Sequence, residues 1–259
     1  MEAAFPSAGA LLYATGDVTT GGEVYAYLCS AVLIAPDVVL TAGHCVASGW
    51  TSVTRYWYTP TADLRSLEFA PGFLPPGAVP VRGLVEHPDF QMPLEDGLAS
   101  AADLSVYFLA SPVPEARPAR LLPRSMARAL RAGAEVQIVG YGRRTVEPVP
   151  FPGGVRKARA TSEITAVMRD EMRIGGDAPG QHKCHGDSGG PTFLHLGDRW
   201  YLVGITSRQF DDRRCAAGGI DTRVDAYAAW IAQVLQDGCE AIDADHRCRS
   251  STDEGSDDT

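Results

Sequence analysis

The chain has 259 residues, of which 45% are hydrophobic, with six cysteines and a formal net charge of −9. That length buries a substantial core either as one large all-β unit or as two small ones packed together. No apolar run approaches the roughly 20 residues of a membrane span, and an acidic balance without a basic stripe argues against a nucleic-acid surface. Residues 237–259 hold eight acidic and two basic side chains, so most of the net charge sits in the tail.

Residues 1–28 mix small residues with glycines and read as an entry strand with turns. A strand is predicted over 25–34, then a turn at Ala35-Pro36-Asp37. Val38-Val39-Leu40-Thr41 follows as a buried strand that delivers His44 to its end. Residues 71–77, Pro/Gly-rich, read as a surface insertion. His87-Pro88-Asp89-Phe90 reads as a turn in which His87 has a structural part. The Pro/Arg-rich stretch 112–123 fits a crossing between two halves, and residues 135–139 open a second set of strands ending in Gly140-Tyr141-Gly142. Residues 143–157 are basic and Pro/Gly-rich, an exposed loop; a further strand is predicted over 199–207. Val224, Tyr227, Ala228, Ile231, Val234 and Leu235 share one face at helical spacing, and Gly238 stands where a helix stop belongs. From Glu240 on, the chain is acidic and apolar-poor, and disorder is predicted except around Cys239 and Cys248. Asp243 and Asp245 read as solvated tail residues rather than calcium ligands. No internal repeat is visible.

The chemistry concentrates in residues 184–191, Cys184-His185-Gly186-Asp187-Ser188-Gly189-Gly190-Pro191. One hydroxyl stands on a tight loop poor in side chains, where a carbonyl can approach the backbone closely and N–H groups can meet a developing oxyanion. A hydroxyl is a weak nucleophile near neutral pH and needs a base, which itself needs an orienting group. Thr41-Ala42-Gly43-His44-Cys45 offers the base. Ala102-Asp103-Leu104-Ser105, opening an apolar stretch, offers the acid. Asp96 competes for that part but lies in a Gly/Ala/Ser-rich segment without such a strand.

On these motifs the chain resembles the trypsin-like (chymotrypsin-fold) serine proteases, from about residue 5 to residue 235, and a secreted member of bacterial type is expected. The resemblance implies an all-β fold of two packed six-stranded antiparallel β-barrels with a C-terminal α-helix. The first barrel would cover about 1–118 and carry His44 and Asp103. The second, with the helix, would cover 119–238 and carry Ser188, leaving 239–259 as the acidic tail. Ser188 would be the nucleophile of an endopeptidase, His44 the general base and Asp103 its orienting partner. The N–H groups of Gly186 and Ser188 would form the oxyanion hole, and Asp187 would pair with the α-ammonium group freed by zymogen cleavage. A homologue that binds partners without cutting is the alternative reading.

The same resemblance implies bridges Cys29–Cys45 and Cys184–Cys215, with Cys239–Cys248 closing a local loop. It also places the primary substrate pocket at His182, Lys183, Ser207, Arg208, Gln209 and Gly219. An acidic residue at the pocket base selects Arg or Lys in this family, and here that position is His182. Two readings stay open. His182, Lys183 and Arg208 together supply positive charge for an acidic side chain, or Lys183 and Arg208 point to solvent and leave a small apolar pocket; Arg or Lys is least favoured. No cofactor and no metal are expected. Polypeptide substrates and protein protease inhibitors are the expected partners of a monomer. Disulfides point to an oxidising compartment, so secretion or a periplasmic location is expected. The start Met1-Glu2-Ala3-Ala4-Phe5 lacks the regions of a signal peptide, which implies a leader already removed.

Overall fold

The computed structural model describes residues 5–17, 22–46, 53–65, 67, 74–92, 97–99, 101–143, 156–176, 181–211, 215–243 and 247–249. The first six strands are β1 (Ala8–Asp17), β2 (Gly22–Ala35), β3 (Val38–Thr41), β4 (Val53–Thr59), β5 (Val79–Glu86) and β6 (Ser105–Leu109). They close into a barrel in the order β1-β2-β3-β6-β5-β4. The next six are β7 (Glu135–Gly140), β8 (Ala158–Val167), β9 (Glu171–Ile174), β10 (Pro191–Leu196), β11 (Arg199–Gln209) and β12 (Gly219–Arg223). They close in the order β10-β11-β12-β9-β8-β7. Every pairing in both barrels is antiparallel. Helix α1 (Ala228–Asp237) follows. The expected architecture is therefore the one observed.

Strands β3 and β6 are buried at every position, because each is covered on both faces. Val39, Tyr107 and Leu109 point into the first barrel against Leu11 and Tyr58. Val38, Leu40, Val106 and Phe108 instead join Phe193, Leu202 and Ile205 of the second barrel and Ile231 and Val234 of α1. A strand buried on two sides reads as an unbroken apolar run rather than an alternation. This second cluster joins the two barrels, and the loops that follow β3 and precede β6 open beside it.

The helix differs from its sequence reading at its start and in one residue of its packed face. It starts at Ala228, and Val224 and Tyr227 belong to the turn that leads into it. Val224 is buried all the same, because the end of β12 carries it into the core. Ile231 and Val234 are the buried residues of α1, whereas Leu235 is 38% exposed; one step past Val234, it has rotated off the packed stripe. Gly238 takes φ +66° and donates to Val234 O at 3.0 Å, ending the helix. The turn histidine His87 is buried, with its ring against Tyr227 and Trp230 and its Nδ1 accepting the Asp89 N–H. Of the predicted insertion, residues 71–73 lie outside the described residues, as do 144–155 of the predicted loop and the tail from 250 on.

All three bridges, Cys29–Cys45, Cys184–Cys215 and Cys239–Cys248, are formed. The last closes a small hairpin of β13 (Ala241–Ile242) and β14 (Cys248–Arg249). It packs on β5: Arg82 donates to Cys239 O, and Leu84 bridges to Arg247. Gly83 lies beneath it, and a Cβ there would fall inside van der Waals distance of both sulfurs and Ile242. Gly83→Ala is expected to lower stability by about 1–3 kcal/mol, read as a lower denaturant midpoint. An unchanged midpoint would show that the hairpin does not press on β5.

Candidate active site

His44 stands on a single 3-10 turn, Gly43–Cys45, that caps β3. The Cys29–Cys45 bridge ties this turn back to β2. Asp103 lies just before β6, at the middle of a tight turn in which Leu104 N–H donates to Ala102 O at 2.8 Å. Ala102 adopts φ +47°, a left-handed conformation that costs a non-glycine residue about 1–2 kcal/mol. The turn aims the carboxylate at His44. Asp103 Oδ1 accepts the His44 backbone N–H and Oδ2 meets His44 Nδ1, both at 2.8 Å. An ionised carboxylate only accepts, so Nδ1 carries the ring proton and Nε2 keeps its lone pair.

Asp103 is fully buried. Burial alone would raise its carboxyl, but the neighbouring imidazole and hydrogen bonds from His44 and Ser207 outweigh it and hold the group below its ordinary value. Ser207 Oγ donates to Oδ2 at 2.5 Å from β11, and Thr222 Oγ1 donates to the Asp103 carbonyl from β12. The acid of the first barrel is thus held by the second. The sulfurs of Cys29 and Cys45 lie within 4.8 Å of a His44 ring nitrogen, but they are bonded to each other and offer no thiolate to a metal.

The Ser188 loop docks against the middle of β2. Ser30 N–H donates to Ser188 O at 2.8 Å, and Gly189 is packed against Ser30 O and Thr41 Oγ1. Gly189 N–H also donates to Thr206 O, which sets the loop beside β11. Gly186 takes φ +93°, open to glycine at little cost. Its carbonyl is held by Tyr27 Oη and Ser30 Oγ. Among the described residues, the N–H groups of Gly186 and Ser188 and the Ser188 hydroxyl have no hydrogen-bond partner. Asp187 turns inward and accepts the N–H groups of Gly142 and Cys184, each at 2.9 Å. Desolvation pushes its carboxyl up, against those two donors and Lys183.

The structure corrects one expectation for Lys183 and Arg208: neither points to solvent, and each is paired with a carboxylate. Lys183 is buried, with Nζ 2.5 Å from Asp221 Oδ1 and donating to the hydroxyls of Thr192 and Thr206. Desolvation pulls the ammonium down, and Asp221 counters it. Arg208 forks onto both carboxylate oxygens of Glu171, at 2.8 and 2.9 Å, and donates to Gly97 O and Ser207 Oγ. Glu171 also accepts the Ala99 N–H, so the pair braces residues 97–99 against β11. His182 packs against Gly175 at the end of β9. Gln209 Nε2 lies 3.2 Å from Cys215 Sγ, across from Gly219 in the ladder. Asp221→Ala would strand a buried cation and is expected to cost about 3–5 kcal/mol, measured by chemical denaturation. A loss under 1 kcal/mol would show that the pair is not desolvated.

The residues here that the sequence reading does not single out include Ser30, Tyr27, Glu171 and Asp221. Asp221 and Glu171 had a signal, since each puts a carboxylate inside a short strand otherwise destined for the core, and such a charge needs a partner. Ser30 and Tyr27 had none, because hydroxyls are common on strands.

Two closed antiparallel barrels with one C-terminal helix, His44 and Asp103 joined at the edge of the first and the Ser188 loop at the edge of the second, define the chymotrypsin-like fold. The sequence profile of the trypsin family matches residues 4–231, and the chain belongs to that family. It is 27% identical to tryptase of Mus musculus over 228 residues, 79% of this chain and 77% of that protein. It is 26% identical to CLIP domain-containing serine protease B9 of Anopheles gambiae over 236 residues, 82% of this chain but only 56% of the mosquito protein. A serine peptidase is the general class that this kinship supports.

Proposed function

We propose that the chain is a serine endopeptidase that works through Ser188, His44 and Asp103. The observation that carries the reading is the two-point grip of Asp103 on His44, which fixes the ring with Nε2 free to take a proton. His44 Nε2 removes the Ser188 proton as the oxygen attacks the scissile carbonyl, and the imidazolium is stabilised by the buried carboxylate. The tetrahedral oxyanion accepts hydrogen bonds from the N–H groups of Gly186 and Ser188. His44 then returns the proton to the leaving amine, and water repeats the sequence on the acyl-enzyme. A bond between nucleophile and base often tightens only when substrate binds.

The substrates are polypeptides, and the primary specificity is not tryptic. Three disulfides suit an oxidising compartment, and no helix among the described residues is long and apolar enough to cross a membrane. On the disulfides we place the protein outside the cytoplasm. The test is labelling with a fluorophosphonate serine probe: the native protein is expected to react and Ser188→Ala to stay blank. A folded, correctly processed protein that does not react would favour the non-cutting homologue.

A further inference from the structure

We infer that the Lys183–Asp221 pair plugs the crevice beside Ser188 and limits the residue whose carbonyl is attacked to a small uncharged side chain. The inference rests on the peptidase reading and names its substrate class. The resemblance implies that this crevice lies between three segments: the nucleophile loop from His182 to Ser188, β11 at residues 207–209, and β12 at residues 219–221. They are adjacent in the structure, with Gln209 opposite Gly219 and Arg208 opposite Ile220 in the β11–β12 ladder, and Cys184 bridged to Cys215 across the mouth.

Gly219 leaves that space open, and Lys183 occupies it. A Cβ on Gly219 would lie 3.2 Å from Lys183 Cβ and 3.3 Å from Lys183 Cδ. The stem therefore runs along the wall that a substrate side chain would touch. Beyond it the polar atoms form a closed set. The ammonium spends its three donors on Asp221, Thr192 and Thr206. Thr192 passes its hydrogen to Asp221 Oδ2, and Thr206 passes its own to Gly190 O. Side-chain exposure is 3% for Lys183 and 0% for Asp221.

Each charge excludes one substrate class. An acidic side chain would need a permanent cation, but Lys183 is matched by Asp221 and Arg208 by Glu171, leaving only the His182 ring, which packs against Gly175. A basic one would need a carboxylate, but Asp221 is already shielded by Lys183. A long apolar one would need the volume that the lysine stem fills. Small uncharged residues remain.

Removing the plug should therefore expose a carboxylate at the bottom of a deeper crevice. Three proteins decide the matter: the wild type, Lys183→Ser, and the double variant Lys183→Ser/Asp221→Ser. Binding of benzamidine, a flat cationic amidine, is measured by calorimetry and needs no catalysis. Lys183→Ser is expected to bind it at least about tenfold more tightly than the wild type, and the double variant to lose the gain. A natively folded Lys183→Ser with no gain overturns the inference. Peptide-library cleavage adds the second readout. The wild type is expected to cut after Gly, Ala or Ser, Lys183→Ser to gain cleavage after Arg and Lys, and the uncharged double variant to gain Leu and Phe. If Lys183→Ser does not fold, the double variant decides: no gain after Leu or Phe in a native protein overturns the plug. A wild type that already cuts after Arg, Glu or Phe overturns it too. Failure of the peptidase reading looks different: no variant reacts with the serine probe, while the benzamidine comparison still reports whether the crevice is plugged.

Discussion

Ser188→Ala is expected to lower peptide hydrolysis by about a millionfold, and His44→Ala by a similar factor. The two effects should not add, because the residues act as one unit: without the hydroxyl there is nothing for the imidazole to deprotonate. A remainder of about a thousandfold over water should survive in both, supplied by the free N–H groups of Gly186 and Ser188 and by substrate binding. Stability should hardly change in Ser188→Ala. The fixed points of that loop are main-chain, the Ser188 carbonyl on Ser30 N–H and the Gly189 N–H on Thr206 O. Single-turnover kinetics with a matched substrate, alongside a thermal melt, separates the two quantities. A Ser188→Ala protein that keeps a tenth of its activity would move the nucleophile elsewhere.

Asp103→Asn is the second large effect, a fall of about ten-thousandfold in kcat. The substitution is nearly isosteric, so the turn at Ala102 and the packing beside β6 are expected to remain. What changes is the hydrogen-bond sense. Asn can present its amide N–H to His44 Nδ1, which makes Nδ1 the acceptor and puts the proton on Nε2, where it blocks the Ser188 hydroxyl. The imidazolium also loses its counter-charge. Asp96→Asn serves as the comparison and is expected to leave turnover within a few fold; a loss there with Asp103→Asn active would reassign the acid. The pH dependence has a definite sign. Asp103 is held below its ordinary value, so its ionised form contributes stability that is complete above the normal carboxylate range. That contribution is lost as pH falls through the lower folded value.

The legible and the hidden residues of this site differ in the range of the interactions that place them. Ser188 announces itself because a reactive hydroxyl on an exposed tight loop needs its glycines next to it in the chain. His44 and Asp103 announce themselves because each adjoins a strand buried on both faces, and such strands read as unbroken apolar runs. The start of α1 was hidden, since Val224 is buried by the end of β12 and not by the helix, which periodicity alone does not separate.

Two closed antiparallel barrels and a C-terminal helix were therefore determined by the sequence through its apolar runs, its turn residues and its family motifs. The charge state of the crevice was decided by the tertiary structure alone. Lys183 and Asp221 are 38 residues apart, and Arg208 and Glu171 are 37. Nothing local to Lys183 or Arg208 says which carboxylate it will meet, or that it will meet one. Only closure of the second barrel sets β12 and β9 against the nucleophile loop and β11. In that water-poor interior an unpaired charge costs more than a paired one, and the two pairings satisfy both cations within the fold.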